Sequence, residues 1–332
     1  MPFVAFRKPN DDVITVMVQE DDLLYDADGF KAEGFVFAPF DASKKEVLFP
    51  AHLINKTVYS FQETPRNFPS SFCQEDIKSK QGYLLLLEKS IAFIKDSTVE
   101  KIVVSRKESC AKSTENVAVL FQKLMTTYAN AYVYLWVHPK VGTWLGASPE
   151  KLLEVEGNTL KTMSLAGTQP YLDTEKVVWK QKEITEQDLV TNFVIENLKP
   201  FITMMEASET YTVKAGSLLH LRTDIQGVLK PTTTLQKLIH HLHPTPAVCG
   251  VPKQEAKSFI LENEGYDRRF YTGFMGELNM DERTCLYVNL RCMEITKETT
   301  FVYVGGGITT DSIPEKEWQE TVSKSKTMKR IL

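Results

Sequence analysis

The chain is predicted to adopt an α+β fold. Three observations carry this. Strand-like runs, alternating or rich in β-branched and aromatic residues, occupy positions 101–105, 131–137, 151–155, 211–215, 286–291 and 301–304. Helical periodicity covers 74–94, 117–127, 183–198, 234–241, 253–262 and 312–328. Strands come in clusters with helices between the clusters, not in strict alternation, which disfavours a doubly wound parallel sheet.

Taken in order, the first strand run is Lys101-Ile-Val-Val-Ser, a charge followed by β-branched residues. The helix over 183–198 carries Glu186 directly ahead of the apolar positions Val190, Phe193 and Val194. The run 286–291, Leu-Tyr-Val-Asn-Leu-Arg, is expected to be an apolar strand ending on Arg291. The last helix has the clearest signposts. Ser312 and Glu315 have capping-box spacing, and Pro314 falls in the first turn, where its missing N–H costs little. Just before it comes Val304-Gly305-Gly306-Gly307. On the glycines alone, a tight strand-to-helix turn is expected. They lack the Lys-Ser/Thr of a P-loop and the GxGxxG spacing. Glycines also let a ligand approach backbone N–H groups, which attract anions.

The 332 residues hold no repeat, low-complexity tract or Pro/Gly/Ser-rich linker, so one unit spanning 1–332 is expected. Asp and Glu number 43 against 39 Lys and Arg, a formal charge of −4. That balance gives no reason to expect nucleic acid or an anionic membrane as partner. The five cysteines are scattered with no CxxC pair, which disfavours a zinc knuckle or a disulfide framework. The N-terminus becomes charged too early for a signal peptide, and the most apolar stretch, 83–94, is broken by Glu88 and Lys89. A soluble, cytoplasmic protein is expected.

Two carboxylate pairs stand out. Glu183 and Glu186 are three apart, as are Glu317 and Glu320, so each pair shares a helix face. Such pairs are usually just solvated. These lie beside apolar stripes, where carboxylates are expensive unless paired or bound to a cation. Oxygen-only donors suit Mg²⁺, which takes one or two carboxylates and keeps several waters. Spacing alone does not bring the two helices together. Arg291 and Lys101, at strand ends, read first as charges reaching water. The alternative is carboxylate recognition by the arginine and proton abstraction by the lysine.

In order along the chain, a series of short blocks resembles the chorismate-utilising enzyme family, and more closely its isochorismate synthase branch. The blocks are Lys101-Ile-Val-Val-Ser-Arg106, Gly146-Ala-Ser-Pro-Glu150, Leu165-Ala-Gly-Thr168, Lys182-Glu-Ile-Thr-Glu-Gln-Asp-Leu-Val190 and His220-Leu-Arg-Thr223. They continue with His243-Pro-Thr-Pro-Ala-Val-Cys-Gly250, the stretch from Tyr266 to Gly276, Leu290-Arg-Cys292, Gly305-Gly-Gly-Ile308 and Glu317-Trp-Gln-Glu-Thr321. The resemblance spans about 101–328, and residues 1–100 carry no comparable motif while belonging to the same unit. It implies one compact α/β unit with two large, mostly antiparallel sheets and flanking helices.

The resemblance also implies a site. Glu186 and Glu320 would ligate Mg²⁺ directly, with Glu183 and Glu317 acting through water. The metal would hold the ring carboxylate of chorismate. Arg291, Lys324, Tyr271 and the backbone at Gly305 and Gly307 would grip the enolpyruvyl carboxylate. Ala166, Gly167 and Thr168 would face the pocket, and His220 would lie near the ring. Lys101 would be the general base that activates water for attack at C2, and Glu150 the general acid that protonates the departing C4 hydroxyl. Hydroxide leaves poorly unless protonated, and water attacks poorly unless deprotonated. A buried carboxyl in a water-poor pocket stays protonated, as that acid must.

Isochorismate made this way would feed menaquinone or a catecholate siderophore. Within the family, Ala166 stands where a lysine-nucleophile aminodeoxychorismate synthase carries lysine, and His-Pro-Thr-Pro-Ala differs from the anthranilate synthase block. Water rather than ammonia is therefore the expected nucleophile, and no glutaminase subunit is expected. A salicylate synthase, which adds pyruvate elimination, stays open, as does a chorismate-binding module without turnover. Gln187 is a departure, since many members have histidine there. His241 and His243 lack a partner at metal-ligand spacing. Thr245 is expected to serve packing or the pocket equally. Trp136, Trp144 and Trp179 read as core or half-buried aromatics, and Cys249, Cys285 and Cys292 as small apolar fillers.

Overall fold

The computed structural model describes residues 1–61, 77–171, 177–216 and 218–332. Cys73 and the expected helical positions 74–76 lie outside them. The strands in chain order are β1 (Phe3–Arg7), β2 (Val13–Gln19), β3 (Gly34–Ala38), β4 (Val47–Pro50), β5 (Ile54–Ser60), β6 (Lys101–Ala111), β7 (Tyr132–His138), β8 (Gly142–Ser148) and β9 (Lys151–Glu156). They continue with β10 (Thr159–Pro170), β11 (Ile202–Ala207), β12 (Tyr211–Ala215), β13 (Leu218–Leu229), β14 (Gly250–Val251), β15 (Phe274–Met280), β16 (Arg283–Val288), β17 (Cys292–Ile295) and β18 (Thr299–Ile308). The helices are α1 (Ile77–Lys95), α2 (Val117–Thr127), α3 (Gln181–Leu198), α4 (Leu235–Leu242), α5 (Lys253–Asn263) and α6 (Pro314–Lys329).

The described strands form two antiparallel sheets of nine. One runs β14-β6-β18-β17-β8-β7-β1-β2-β5. The other runs β11-β13-β10-β9-β16-β15-β3-β4, with β12 also pairing β13. The α+β expectation holds, with two large sheets and flanking helices. The first 60 residues are woven into both sheets, since β1, β2 and β5 belong to one and β3 and β4 to the other.

Side-chain alternation along single strands explains the layering. In β7, Tyr132, Tyr134 and Trp136 point between the sheets, while Val133 and Leu135 pack on the outer face with α2 and the end of α6. In β3, Phe35 and Phe37 point between the sheets, and Val36 and Ala38 pack outward towards α3 and α4. The inner layer is aromatic. Phe37 stacks on Phe270 with ring centroids 4.2 Å apart, and Tyr132 stacks on Tyr287 at 4.1 Å. A further cluster joins α1, α5 and Trp318 of α6 to β6. Among the described residues no helix is long and apolar enough to cross a membrane. Cys110, Cys249, Cys285 and Cys292 are buried, and the last three are free thiols. Trp136 and Trp144 are fully buried, and Trp179 is half-buried.

Three local expectations are corrected. The Ser312–Glu315 capping box does not form. The residue ahead of α6 is Ile313, with no side-chain cap, because the Ser312 hydroxyl accepts the Thr309 N–H and Glu315 pairs with Lys80. Pro314 does occupy the first turn. Arg291 does not end a strand. β16 stops at Val288, and Arg291 sits with φ +47° where the chain crosses from one sheet to the other. Buried Asn289 anchors that crossing by accepting from the Tyr134 hydroxyl and donating to the Phe270 carbonyl. The glycines are not a strand-to-helix turn. Gly305, Gly306 and Gly307 lie within β18, paired with Ser105, Val104 and Val103 of β6.

Candidate active site

β17 pairs with β18 only as far as Val302. Beyond that point one edge of β18 is open, and the Gly305 carbonyl on it accepts from Lys324 Nζ at 3.2 Å. A strand residue's N–H and C=O point the same way and alternate along the chain, so Gly305 and Gly307 both present backbone groups to this open edge. A cavity lies against it. Its walls include Pro149 and Glu150 at the β8–β9 corner, Leu165 to Thr168 of β10, Glu186, His220, Tyr271, Arg291, the three glycines and Lys324. Eleven residues expected at the site therefore line one pocket: Glu150, Ala166, Gly167, Thr168, Glu186, His220, Tyr271, Arg291, Gly305, Gly307 and Lys324.

Lys101, the first residue of β6, is 1% exposed and lies behind Gly307 of the pocket wall. Its Nζ donates to Glu186 Oε1 at 2.8 Å. Gly307 makes room for the pair: a Cβ there would stand 2.7 Å from Lys101 Cε and 3.0 Å from Glu186 Oε1. Burial pushes the Glu186 carboxyl up, and Lys101, Lys324 and Lys182 outweigh it, leaving the group below the usual carboxylate range.

Glu150 is buried, with its carboxyl raised to about 8 by burial and pulled back only in part by Lys101. At neutral pH it therefore holds its proton. His220 is buried, and its ring is pushed down to about 3 by burial and then by Arg291. The imidazole is therefore neutral. Its Nδ1 lies 3.0 Å from the Gly167 carbonyl, which cannot donate, so the proton resides on Nδ1. Nε2 is left as an acceptor, with no partner among the described residues. Arg291 is half-buried; the enclosure of its guanidinium lowers it, and Nη1 is equally without a hydrogen-bond partner among them. The Tyr271 hydroxyl, raised by burial, stands over Gly305, 3.2 Å from where a Cβ would be.

The pocket floor is shaped by Gln187. Its Oε1 accepts the Ala166 N–H at 2.8 Å, and its Nε2 donates to Ser164 Oγ at 2.9 Å and Thr223 Oγ1 at 3.2 Å. Next along β10, Gly167 has φ +63° and packs against Glu183, where a Cβ would come within 3.2 Å. Thr245 is not in the wall. Its carbonyl accepts the N–H groups of Val248 and Cys249, holding Ala247 and Val248 at the pocket. His243 is buried, and its ring bonds to the Thr272 carbonyl.

The remaining three glutamates stand outside the pocket wall. Glu183 accepts the Lys180 N–H at the start of α3. Glu317 is 2% exposed and pairs with Lys182 at 2.8 Å. Glu320 pairs with Lys324 at 2.6 Å. The Lys182 ammonium links the two acidic helices, lying within electrostatic reach of Glu317, Glu320 and Glu186. Among the described residues no three His, Cys, Asp or Glu side chains are grouped closely enough to hold a metal by themselves. The donors are nonetheless carboxylate oxygens that already draw in a cation, which fits a hard ion held by two carboxylates and water.

Sequence reasoning did not single out Lys182, Val103, Leu290 or Thr272. All four stand inside the quoted blocks. A lysine in a first helical turn otherwise reads as a solvated charge.

The sequence profile of a family described as chorismate binding enzyme matches residues 41–332. Isochorismate synthase DhbC of Bacillus subtilis is 30% identical over 293 residues, covering 82% of this chain and 73% of that protein. The vibriobactin-specific isochorismate synthase of Vibrio cholerae is 27% identical over 310 residues, covering 89% and 78%. A solved Bacillus anthracis structure, assigned as the 2,3-dihydroxybenzoate-specific isochorismate synthase DhbC, superposes with a TM-score of 0.83 at 26% identity, covering 99% of this chain and 95% of that one. The chain belongs to the chorismate-binding enzyme family.

Proposed function

We propose that this chain is an isochorismate synthase, an isomerase that moves the hydroxyl of chorismate from C4 to C2. The observation that carries the reading is a buried acid in the pocket wall, Glu150, its carboxyl raised to about 8, within electrostatic reach of a buried lysine, Lys101, whose ammonium holds the wall residue Glu186. Lys101 takes a proton from water as the oxygen attacks C2. The ring double bonds shift, and the C4–O bond breaks as Glu150 gives its proton to the departing hydroxyl. One water is gained and one lost, so the product is an isomer of the substrate.

Chorismate is a dianion, and the pocket offers two places for its carboxylates. Arg291, Lys324, the Tyr271 hydroxyl and the open backbone edge at Gly305 and Gly307 suit the enolpyruvyl carboxylate. The ring carboxylate then faces the glutamates, which need a cation to receive it. Glu186 and Glu320 would hold Mg²⁺, with Glu183 and Glu317 acting through water. Bound Mg²⁺ would neutralise and orient that carboxylate. His220 Nε2, an acceptor, suits a substrate hydroxyl and not a carboxylate, which supports a role for it against the C4 hydroxyl. Thr168 and the backbone of Ala166 and Gly167 close the side of the ring.

The whole chain is read as one catalytic unit. The product would feed menaquinone or a catecholate siderophore, in a cytoplasmic setting that the free thiols of Cys249, Cys285 and Cys292 suit. Ala166, in place of a lysine, supports water as nucleophile and a chain that needs no glutaminase. The test is incubation of the purified protein with chorismate and Mg²⁺, followed by product identification. Isochorismate without pyruvate is expected. Salicylate with pyruvate would make it a salicylate synthase, an ammonia-dependent aromatic amine would make it an aminating enzyme, and binding without turnover would make it a chorismate-binding module.

A further inference from the structure

One cation at the acidic helices has no part in the reaction above. Lys182 lies in the first turn of α3, where the positive end of the helix disfavours it. Its Nζ nonetheless sits 2.8 Å from Glu317 Oε1 on α6. Its side chain is 42% exposed, while that of Glu317 is 3% exposed. The stem therefore comes in from solvent and the ammonium plugs a buried carboxylate. Glu320 and Glu186 add their attraction to the same ammonium. Stripped of this partner, Glu317 would be a buried charge without compensation.

The two neighbouring lysines are placed differently. Lys101 is enclosed behind Gly307, and Lys324 also donates to the Gly305 carbonyl inside the pocket. Of the three, Lys182 is the most exposed side chain and has open solvent to swing into.

We propose that Lys182 is a tethered counter-ion that ties α3 to α6 in the metal-free protein and that a divalent cation must displace. The proposal rests on the reading of Glu186 and Glu320 as metal ligands. An ammonium and a divalent cation repel each other when they share one carboxylate cluster, so the affinity for metal is set partly by how readily Lys182 leaves. Lys182 is thereby a positioning residue for the metal and not a catalytic one.

The test measures Mn²⁺ binding by electron paramagnetic resonance on the full chain without chorismate. Mn²⁺ shares the octahedral oxygen preference of Mg²⁺. Lys182→Met is expected to bind Mn²⁺ about 10-fold more tightly than the native protein, having lost one repelling charge. Without metal it should melt at a lower temperature than native, and Mn²⁺ should restore the difference. Lys182→Arg, whose guanidinium fork grips Glu317 more firmly, is expected to bind Mn²⁺ more weakly than native. Equal or weaker binding by Lys182→Met overturns the proposal. If that variant does not fold without metal, Lys182→Arg decides, and unchanged or tighter binding overturns it. A native protein that binds no Mn²⁺ would overturn the metal reading and this proposal together, whereas native binding with an unaltered Lys182→Met would overturn the counter-ion alone.

Discussion

Lys101 Nζ and Glu186 Oε1 meet at 2.8 Å, although 85 positions separate them in the chain. The pair joins the start of β6 to the second turn of α3, so a proposed proton acceptor and a proposed metal ligand share one contact. Lys101→Ala is expected to lower turnover by roughly 10²–10⁴-fold, the usual worth of a positioned base. Chorismate affinity, measured by calorimetry, should stay close to native, because the carboxylate-binding groups are elsewhere. Near-native turnover in this variant would remove Lys101 from the mechanism.

Glu150 predicts a pH profile. Its carboxyl is raised to about 8, chiefly by burial. A general acid must start protonated, so kcat/KM should fall as pH rises through about 8. Stability follows the same sign. A group raised in the native state favours folding fully below its unfolded value and loses that contribution as pH rises through the native one. Glu150→Gln should therefore lose activity, lose the basic limb, and melt above the native protein at alkaline pH. A limb that persists in the residual activity of the glutamine variant would assign it to another group.

His220 predicts the opposite, an absence of titration. With the ring pushed down to about 3, it stays neutral throughout the working range and gives no acidic limb near its ordinary value. His220→Ala should lose about 10–100-fold in kcat/KM, as expected when a substrate hydroxyl loses its acceptor. His220→Gln, which keeps an acceptor atom, should recover part of it. Steady-state kinetics on the two variants decide the point, and equal losses in both would argue against a hydrogen bond from Nε2.

Gly307 tests the space around the same pair. A methyl group there meets Lys101 Cε and Glu186 Oε1, the ends of side chains and not backbone. Gly307→Ala should fold with a melting temperature near native and lose turnover by more than about 10-fold through misplacement of the lysine. A well-folded alanine variant with native activity would show that the Lys101–Glu186 contact can shift freely.

Much of the scaffold was legible because side-chain period reports burial. β7 alternates cleanly between the inner aromatic layer and the outer aliphatic one, and its bounds are read almost to the residue. The helix α1 was legible by its period, but β3 and β4 were opaque for the same reason. All five residues of β3 and all four of β4 are buried, so no polar alternation marks them. The glycines of β18 read as a break because glycine is a poor strand former, yet pairing with β6 carries the strand through them. Arg291 looked like a strand end because nothing local signals a chain changing sheets at Asn289. For the site, the order of short blocks revealed which residues converge. Lys182 stayed hidden, since its significance depends on Glu317, far along the chain on another helix.

The weaving of the N-terminal strands has a consequence for how the protein is made. β1 pairs with β7, and β3 pairs with β15, whose first residue Phe274 faces Ala38. Neither sheet can be completed until most of the chain has left the ribosome. Pairings this distant are slow to close, and β3 and β4 wait meanwhile as bare apolar segments. The nascent chain thus carries an exposed hydrophobic stretch near its start for most of synthesis, and its yield in cells should respond to translation rate and chaperone supply more than to the stability of the finished fold.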